Sequence, residues 1–148
     1  MEELFIYSNS ANIDKSTSIQ IKDEGSTFSL IEKSIEIAEI RFSMPNVSFP
    51  RELLLKIFPR NENSTWTVPK VLKNVKPKYN SLKKSWQLNL YGKFALKSCK
   101  NCVLENEQSR KIVIVRKTAK NDIDIEVTKE IDPKIIFFIG ISSFLCSI

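Results

Sequence analysis

The residues best suited to redox or metal chemistry in this 148-residue chain are its three cysteines, of which Cys99 and Cys102 stand as a C-x-x-C pair. A tetrahedral zinc site wants four thiolate or imidazole ligands, and three thiols with no histidine cannot supply them. If the segment is extended, positions three apart face opposite sides of the strand, so a vicinal disulfide is poorly placed as well. Both thiols are therefore expected to be packed or half-packed apolar residues. Three unpaired cysteines also imply a reduced, cytoplasmic setting.

The absence of histidine removes the commonest general base, and with it the Ser-His-Asp and Cys-His arrangements. Gly25, Gly92 and Gly140 lie too far apart to form a phosphate-cradling loop. Asp122, Asp124 and Glu126 alternate with Ile123, Ile125 and Val127, which describes the wet face of a half-buried strand better than an acid–base pair. The expectation is a non-enzyme without metal or cofactor.

Charge carries more information. The net charge is +6, with 23 Lys and Arg against 17 Asp and Glu. From Trp66 to Lys120 there are 14 basic side chains against only Glu105 and Glu107, while the flanking segments are each net acidic. No acidic residue occurs between Glu62 and Glu105, where Lys76, Lys78, Lys83, Lys84, Lys93, Lys97 and Lys100 accumulate with Lys70 and Lys73. Such a surface favours an anionic partner, either phospholipid or nucleic acid. Each lysine near an anionic leaflet contributes about 1 kcal/mol, so four on one face would matter.

The elements that must position these groups are mostly strands. The apolar pattern has a period of two at 53–58, 86–91 and 112–115, and both faces are partly apolar, as in a barrel wall. Strands are expected near 3–8, 17–22, 35–42, 52–58, 66–72, 85–91, 93–99, 111–117 and 122–128, with Gly92 as a tight bend or bulge. Turn signals fall at Asn9 to Asn12, Pro45-Asn46, Pro59 to Ser64, Pro77 to Leu82, Glu105 to Ser109 and Ala119 to Asn121. Phe28, Ile31 and Ile35 have helical spacing, which predicts a helical turn within 26–34.

A helix comes last, over about 133–147. Asp132 is placed to cap it and Pro133 suits its first position, where the missing N–H costs nothing. Ile135, Ile136, Phe137, Phe138, Ile139, Ile141, Phe144 and Leu145 then circle the whole cylinder. A helix apolar on every side must be surrounded, and this one is shorter than the roughly 20 residues that cross a bilayer. A buried core helix is expected. The acidic Met1-Glu2-Glu3 start is unlike a signal peptide.

The stretch Asn74, Lys76, Pro77, Tyr79, Asn80, Trp86, Leu88, Asn89, Gly92, Lys93, Ser98, Lys100 and Asn101 resembles the tubby-like C-terminal domain. In that family an Asn-Lys-x-Pro-x-Trp-Asn start leads to a Leu-Asn-Phe-x-Gly-Arg-Val strand and an Ala-Ser-Val-Lys-Asn-Phe run. Phe137, Ile139, Gly140, Ile141, Ser142, Ser143 and Phe144 are similar to its closing Ala-Phe-Ala-Ile-x-Leu-Ser-Ser-Phe helix. Leu4 to Asn9 and Ile37 to Pro59 extend the likeness more faintly. Lys93 replaces the family's Arg, Lys97 its Ala, and Cys99 and Cys102 its Val and Phe.

The resemblance implies a single unit over 1–148 equal to about the C-terminal half of a tubby-like domain: a mainly β, antiparallel, partial barrel around a C-terminal apolar central helix. It further implies a peripheral, membrane-tethered adaptor in the cytoplasm at the plasma membrane, with the nucleus as a second location. Such an adaptor binds phosphatidylinositol 4,5-bisphosphate head groups and carries trafficking cargo or receptor proteins. The family's Lys-x-Arg lipid pair precedes the strand matched by Leu4 to Asn9, so the chain begins after it. The nearest counterpart of a third family cation is Lys33, one place from the aligned Glu32, and Arg51 falls in the family's Gly-Pro-Arg-Lys turn. Two other readings stand beside this one. One is a nucleic-acid-binding basic β domain in which Tyr79, Trp86 or Tyr91 stacks on bases. The other is a truncated or degenerate domain without independent activity.

Overall fold

A computed structural model describes residues 2–7, 13–44, 49–59, 68–128 and 131–148. Its main element is a nine-stranded antiparallel sheet in the order β1 (Glu2–Tyr7), β2 (Ile13–Lys22), β3 (Thr27–Glu32), β4 (Ile35–Ser43), β5 (Glu52–Ile57), β6 (Lys70–Asn74), β9 (Cys102–Glu105), β10 (Lys111–Ala119) and β11 (Asp122–Val127). Two short strands, β7 (Lys78–Asn80) and β8 (Ser85–Gln87), form a separate hairpin. Helix α1 (Pro133–Leu145) follows. It touches β3 and β4 on one side and β11 on the other, so the sheet curls round it as a half-barrel.

Cross-strand register explains why the sheet has an apolar inner face. Ile21, Phe28, Ile40, Leu55 and Leu72 form one continuous row of opposed residues across β2 to β6. Ile19, Leu30, Ala38 and Ile57 form a second. Cys102, Val115 and Ile125, and likewise Leu104, Val113 and Val127, continue the face on the far wall. Because side chains alternate, a slip of one residue would turn every member of these rows outward.

The helix begins as its sequence requires: Pro133 sits in the first turn and the Asp132 carboxylate accepts from Lys134 N at 2.8 Å. Its enclosure is one-sided, which corrects the expectation of a helix surrounded all round. Ile135, Phe138 and Ile139 are buried, whereas Phe137 is 48% exposed, Phe144 37% and Leu145 46%. Ser142 and Ser143, the polar relief in the pattern, are fully buried. Small residues face the sheet because the approach is close: a Cβ added to Gly140 would lie 3.1 Å from Ile125 Cδ1. Among the described residues no helix is long and apolar enough to cross a membrane.

Three local expectations fail for identifiable reasons. The stretch expected to hold a helical turn at 26–34 is β3, because Phe28 and Leu30 complete the inner rows and a two-residue turn at Lys33 and Ser34, both at positive φ, reverses the chain. The expected strand at 93–99 is irregular. There Leu96 N reaches Lys117 O at 2.8 Å, while Arg116 Nη1 and the Asn101 amide take the carbonyls of Phe94 and Leu96 that a ladder would have used. The expected strand 85–91 stops at Gln87, since Tyr91 N turns back to Asn89 Oδ1. Strands β7 and β9 were not anticipated, the first because Pro77 to Leu82 reads as turn. The strand near 66–72 is β6, at 70–74. Positions 66 and 67 and the turns at Asn9 to Asn12 and Pro45-Asn46 lie outside the described residues.

Candidate anion-binding cleft

Between β6 and β9 the chain leaves the sheet and lays residues 75–101 as a flap over its outer face. The flap covers Val103 and Ile114, opposed residues that are each 1% exposed though they point away from the helix. This accounts for strands apolar on both faces. Val75 N donates to Val103 O at 2.7 Å where the flap departs. Its return half is fastened by charge: Lys93 pairs with Glu126 at 2.6 Å, Arg116 Nη1 donates to Phe94 O at 2.6 Å, and Lys111 Nζ stands 3.3 Å over the Tyr91 ring. The bond from Lys93 holds the Glu126 carboxyl below the usual carboxylate range.

The leading half carries β7 and β8 and borders an open cleft of about 620 Å³ lined by Val75, Lys76, Lys78, Trp86, Gln87, Leu88, Asn89, Tyr91 and Val103. Two lysines and two carboxamides face a space with no carboxylate among the described residues of its lining. That is the composition of an anion site. A second cavity of about 560 Å³ is more apolar, and its charged lining residues are Glu107 and Asp132 against the single Lys70.

Nearby, Tyr79 and Trp86 are directly opposed across the hairpin, with ring centroids 5.3 Å apart and edge to face, and Phe49 packs 5.3 Å from Trp86. The three rings are 37 to 54% exposed. The turn beyond them is held by Asn80, whose Oδ1 accepts from Lys83 N at 3.0 Å. This leaves Leu82 95% exposed at the tip, between Ser81 and Lys83.

No family model and no curated protein matches this chain.

The seven lysines of the basic block have separate fates. Lys76, Lys78, Lys83, Lys84 and Lys97 are exposed; only Lys76 approaches a described carboxylate, Glu52 at 3.9 Å. Lys93 is engaged by Glu126, and Lys100 Nζ donates to Ser143 O and Phe144 O, both at 2.9 Å. Burial, and then the neighbouring Arg51 charge, lower the pKa of Lys100. Lys33 is exposed in the β3–β4 turn. Arg51 is buried just before β5, its Cζ 4.5 Å from the Phe42 ring centroid and its Nη1 3.3 Å from Ile148 O.

Lys33 and Arg51 do not converge. Glu32, beside Lys33, pairs with Lys134 in the first turn of α1 at 2.6 Å, while Arg51 meets the chain beyond its last turn, so about 20 Å of helix separates them. Arg51 and Lys100 instead meet the negative end of the α1 dipole. Cys99 is exposed and Cys102 half-buried against the core. Burial pushes the Cys102 thiol up to about 12, partly offset by Arg51. Among the described residues no cluster of His, Cys, Asp or Glu could hold a metal. The aromatic group at Phe49 was not anticipated: no periodicity links a loop residue to Trp86, 37 positions away.

Proposed function

We propose that this chain is a tubby-like half-barrel that binds the head groups of anionic phospholipid, phosphatidylinositol 4,5-bisphosphate among them, as a non-catalytic, peripheral membrane adaptor at the cytoplasmic face of the plasma membrane. The observation that carries this reading is the cleft beneath the β7–β8 hairpin, where Lys76 and Lys78 stand with Gln87 and Asn89 and, among the described residues, the nearest carboxylate is Glu52, outside the lining and 3.9 Å from Lys76. Lys83 and Lys84, exposed in the turn of the same hairpin, add to the positive field, and no carboxylate among the described residues pairs with them. A phosphorylated inositol ring asks for this combination of ammonium groups and carboxamide donors. The curled antiparallel sheet around a C-terminal apolar helix supports the family assignment. Trafficking cargo or receptors would be its protein partners. Liposome sedimentation tests the reading: binding to bisphosphate-containing vesicles is expected to exceed binding to neutral ones, and equal binding to both removes it.

A second reading has its own observation. The uncovered face of α1 at Phe137, Phe144 and Leu145 suits a domain that needs further strands before it is active. A concentration-dependent association that titrates with added detergent would favour it. The nucleic-acid reading is weaker, because Tyr79 and Trp86 pack edge to face against each other and Lys111 covers Tyr91.

A further inference from the structure

We infer that the tip of the β7–β8 hairpin is a membrane-inserting element, with Leu82 entering the bilayer, Tyr79 and Trp86 lying at head-group depth, and Lys83 and Lys84 holding the anionic surface. The inference rests on the lipid reading above and adds to it which element enters the membrane and how deeply.

Leu82 is the most exposed large apolar side chain in the described structure, at 95%, and it is held there by a turn that the Asn80 side chain locks. A lone exposed leucine is ordinary on a soluble surface. Here it is followed in sequence by two lysines and backed by an opposed Tyr–Trp pair, and the flap around it contains no acidic residue. Amphipathic aromatic rings favour the membrane–water boundary, and lysines let their stems run along apolar surface while the ammonium stays with the phosphates.

The depths agree. At about 3.3 Å per strand residue, the Tyr79–Trp86 pair sits roughly 7–10 Å behind Leu82. The head-group layer of one leaflet is roughly 5–8 Å thick. With Leu82 roughly 3 Å past the acyl boundary, the rings therefore fall in the outer part of the head-group layer. Charge complementarity selects an anionic bilayer over a neutral one, and an acidic protein surface would leave Leu82 without an acyl phase to enter.

Trp86 reports on its own insertion. In the full chain carrying Trp66→Phe it is the sole indole. Phosphatidylcholine vesicles containing phosphatidylserine are expected to shift its emission to the blue, and brominated acyl chains to quench it, while pure phosphatidylcholine does neither. Leu82→Asp is expected to abolish the quenching, and Lys83→Ala with Lys84→Ala to weaken vesicle affinity about thirtyfold and flatten its salt dependence. These positions are exposed, and an unchanged circular dichroism spectrum confirms the fold. Sedimentation with anionic vesicles, with Trp86 emission neither shifted nor quenched and Leu82→Asp binding as tightly as the parent, overturns the insertion and leaves lipid binding standing. Failure to sediment with any anionic vesicle overturns both. Quenching by a single-stranded oligonucleotide but not by vesicles overturns both in favour of nucleic acid.

Discussion

Lys100 Nζ donates to the carbonyl oxygen of Ser143 at 2.9 Å, so a lysine of the basic block closes the C-terminal end of the apolar helix. The same ammonium reaches Phe144 O, and Lys117 Nζ stands 5.2 Å from the Phe144 ring centroid. Helix C-termini leave unpaired carbonyls and a partial negative charge, and a cation there satisfies both. Replacing Lys100 with Met, which keeps the stem but not the donor, is expected to lower unfolding free energy by about 1–2 kcal/mol, since the site is part-exposed. Urea denaturation with an unchanged m-value checks it. A loss smaller than the error would show that water serves these carbonyls equally well.

One-sided burial of α1 predicts a contrast between adjacent phenylalanines. Phe138→Ala, in the closed core, is expected to cost about 3–5 kcal/mol. Phe137→Ser, at a half-exposed position, is expected to change stability by less than about 1 kcal/mol and to reduce self-association. Comparable large losses from both would mean that the helix is enclosed on every side.

The two cysteines of the C-x-x-C pair differ in environment. At neutral pH a thiol-alkylating reagent is expected to modify Cys99 first and to reach Cys102 only on unfolding, as mass spectrometry of digested protein would show. Because the folded Cys102 pKa of about 12 exceeds the ordinary 9.0, its stabilising contribution is complete below pH 9 and declines as pH rises toward 12. In Cys102→Ala the alkaline limb of the stability profile is expected to flatten.

Lys93→Ala is expected to return the Glu126 carboxyl upward toward its ordinary value, measurable by NMR titration. In the parent that depressed pKa contributes stability above about pH 4.5, lost as pH falls through the folded value. An unmoved Glu126 titration in the variant would show that the pair is not formed in solution.

Gly25 adopts φ +87°, and an added Cβ would meet Ser147 Oγ at 3.0 Å. Ser147 also donates through its N to Gly25 O and through its Oγ to Glu24 O, seating the chain after α1 on the β2–β3 turn. Gly25→Ala is expected to destabilise by about 1–2 kcal/mol. Heat denaturation followed by circular dichroism would register it.

Period-two patterns in strands β5, β10 and β11, the Asp132-Pro133 helix start and the net positive charge of the middle of the chain were all legible in the residues, because each depends on neighbours a few positions away. Where the lysines ended up was not. Lys100 was drawn to a helix end and Lys93 to a strand carboxylate, while Lys76 and Lys78 were left facing a cleft, because the flap folds back over Val103 and Ile114. Helical spacing at Phe28, Ile31 and Ile35 gave way to strand because the pairing partners of Phe28 and Leu30 on β2 and β4 supply more burial than a local turn. Local propensity decided which elements could exist, whereas long-range burial and hydrogen-bond satisfaction decided which face of α1 was covered and which cations remained free to meet an anion.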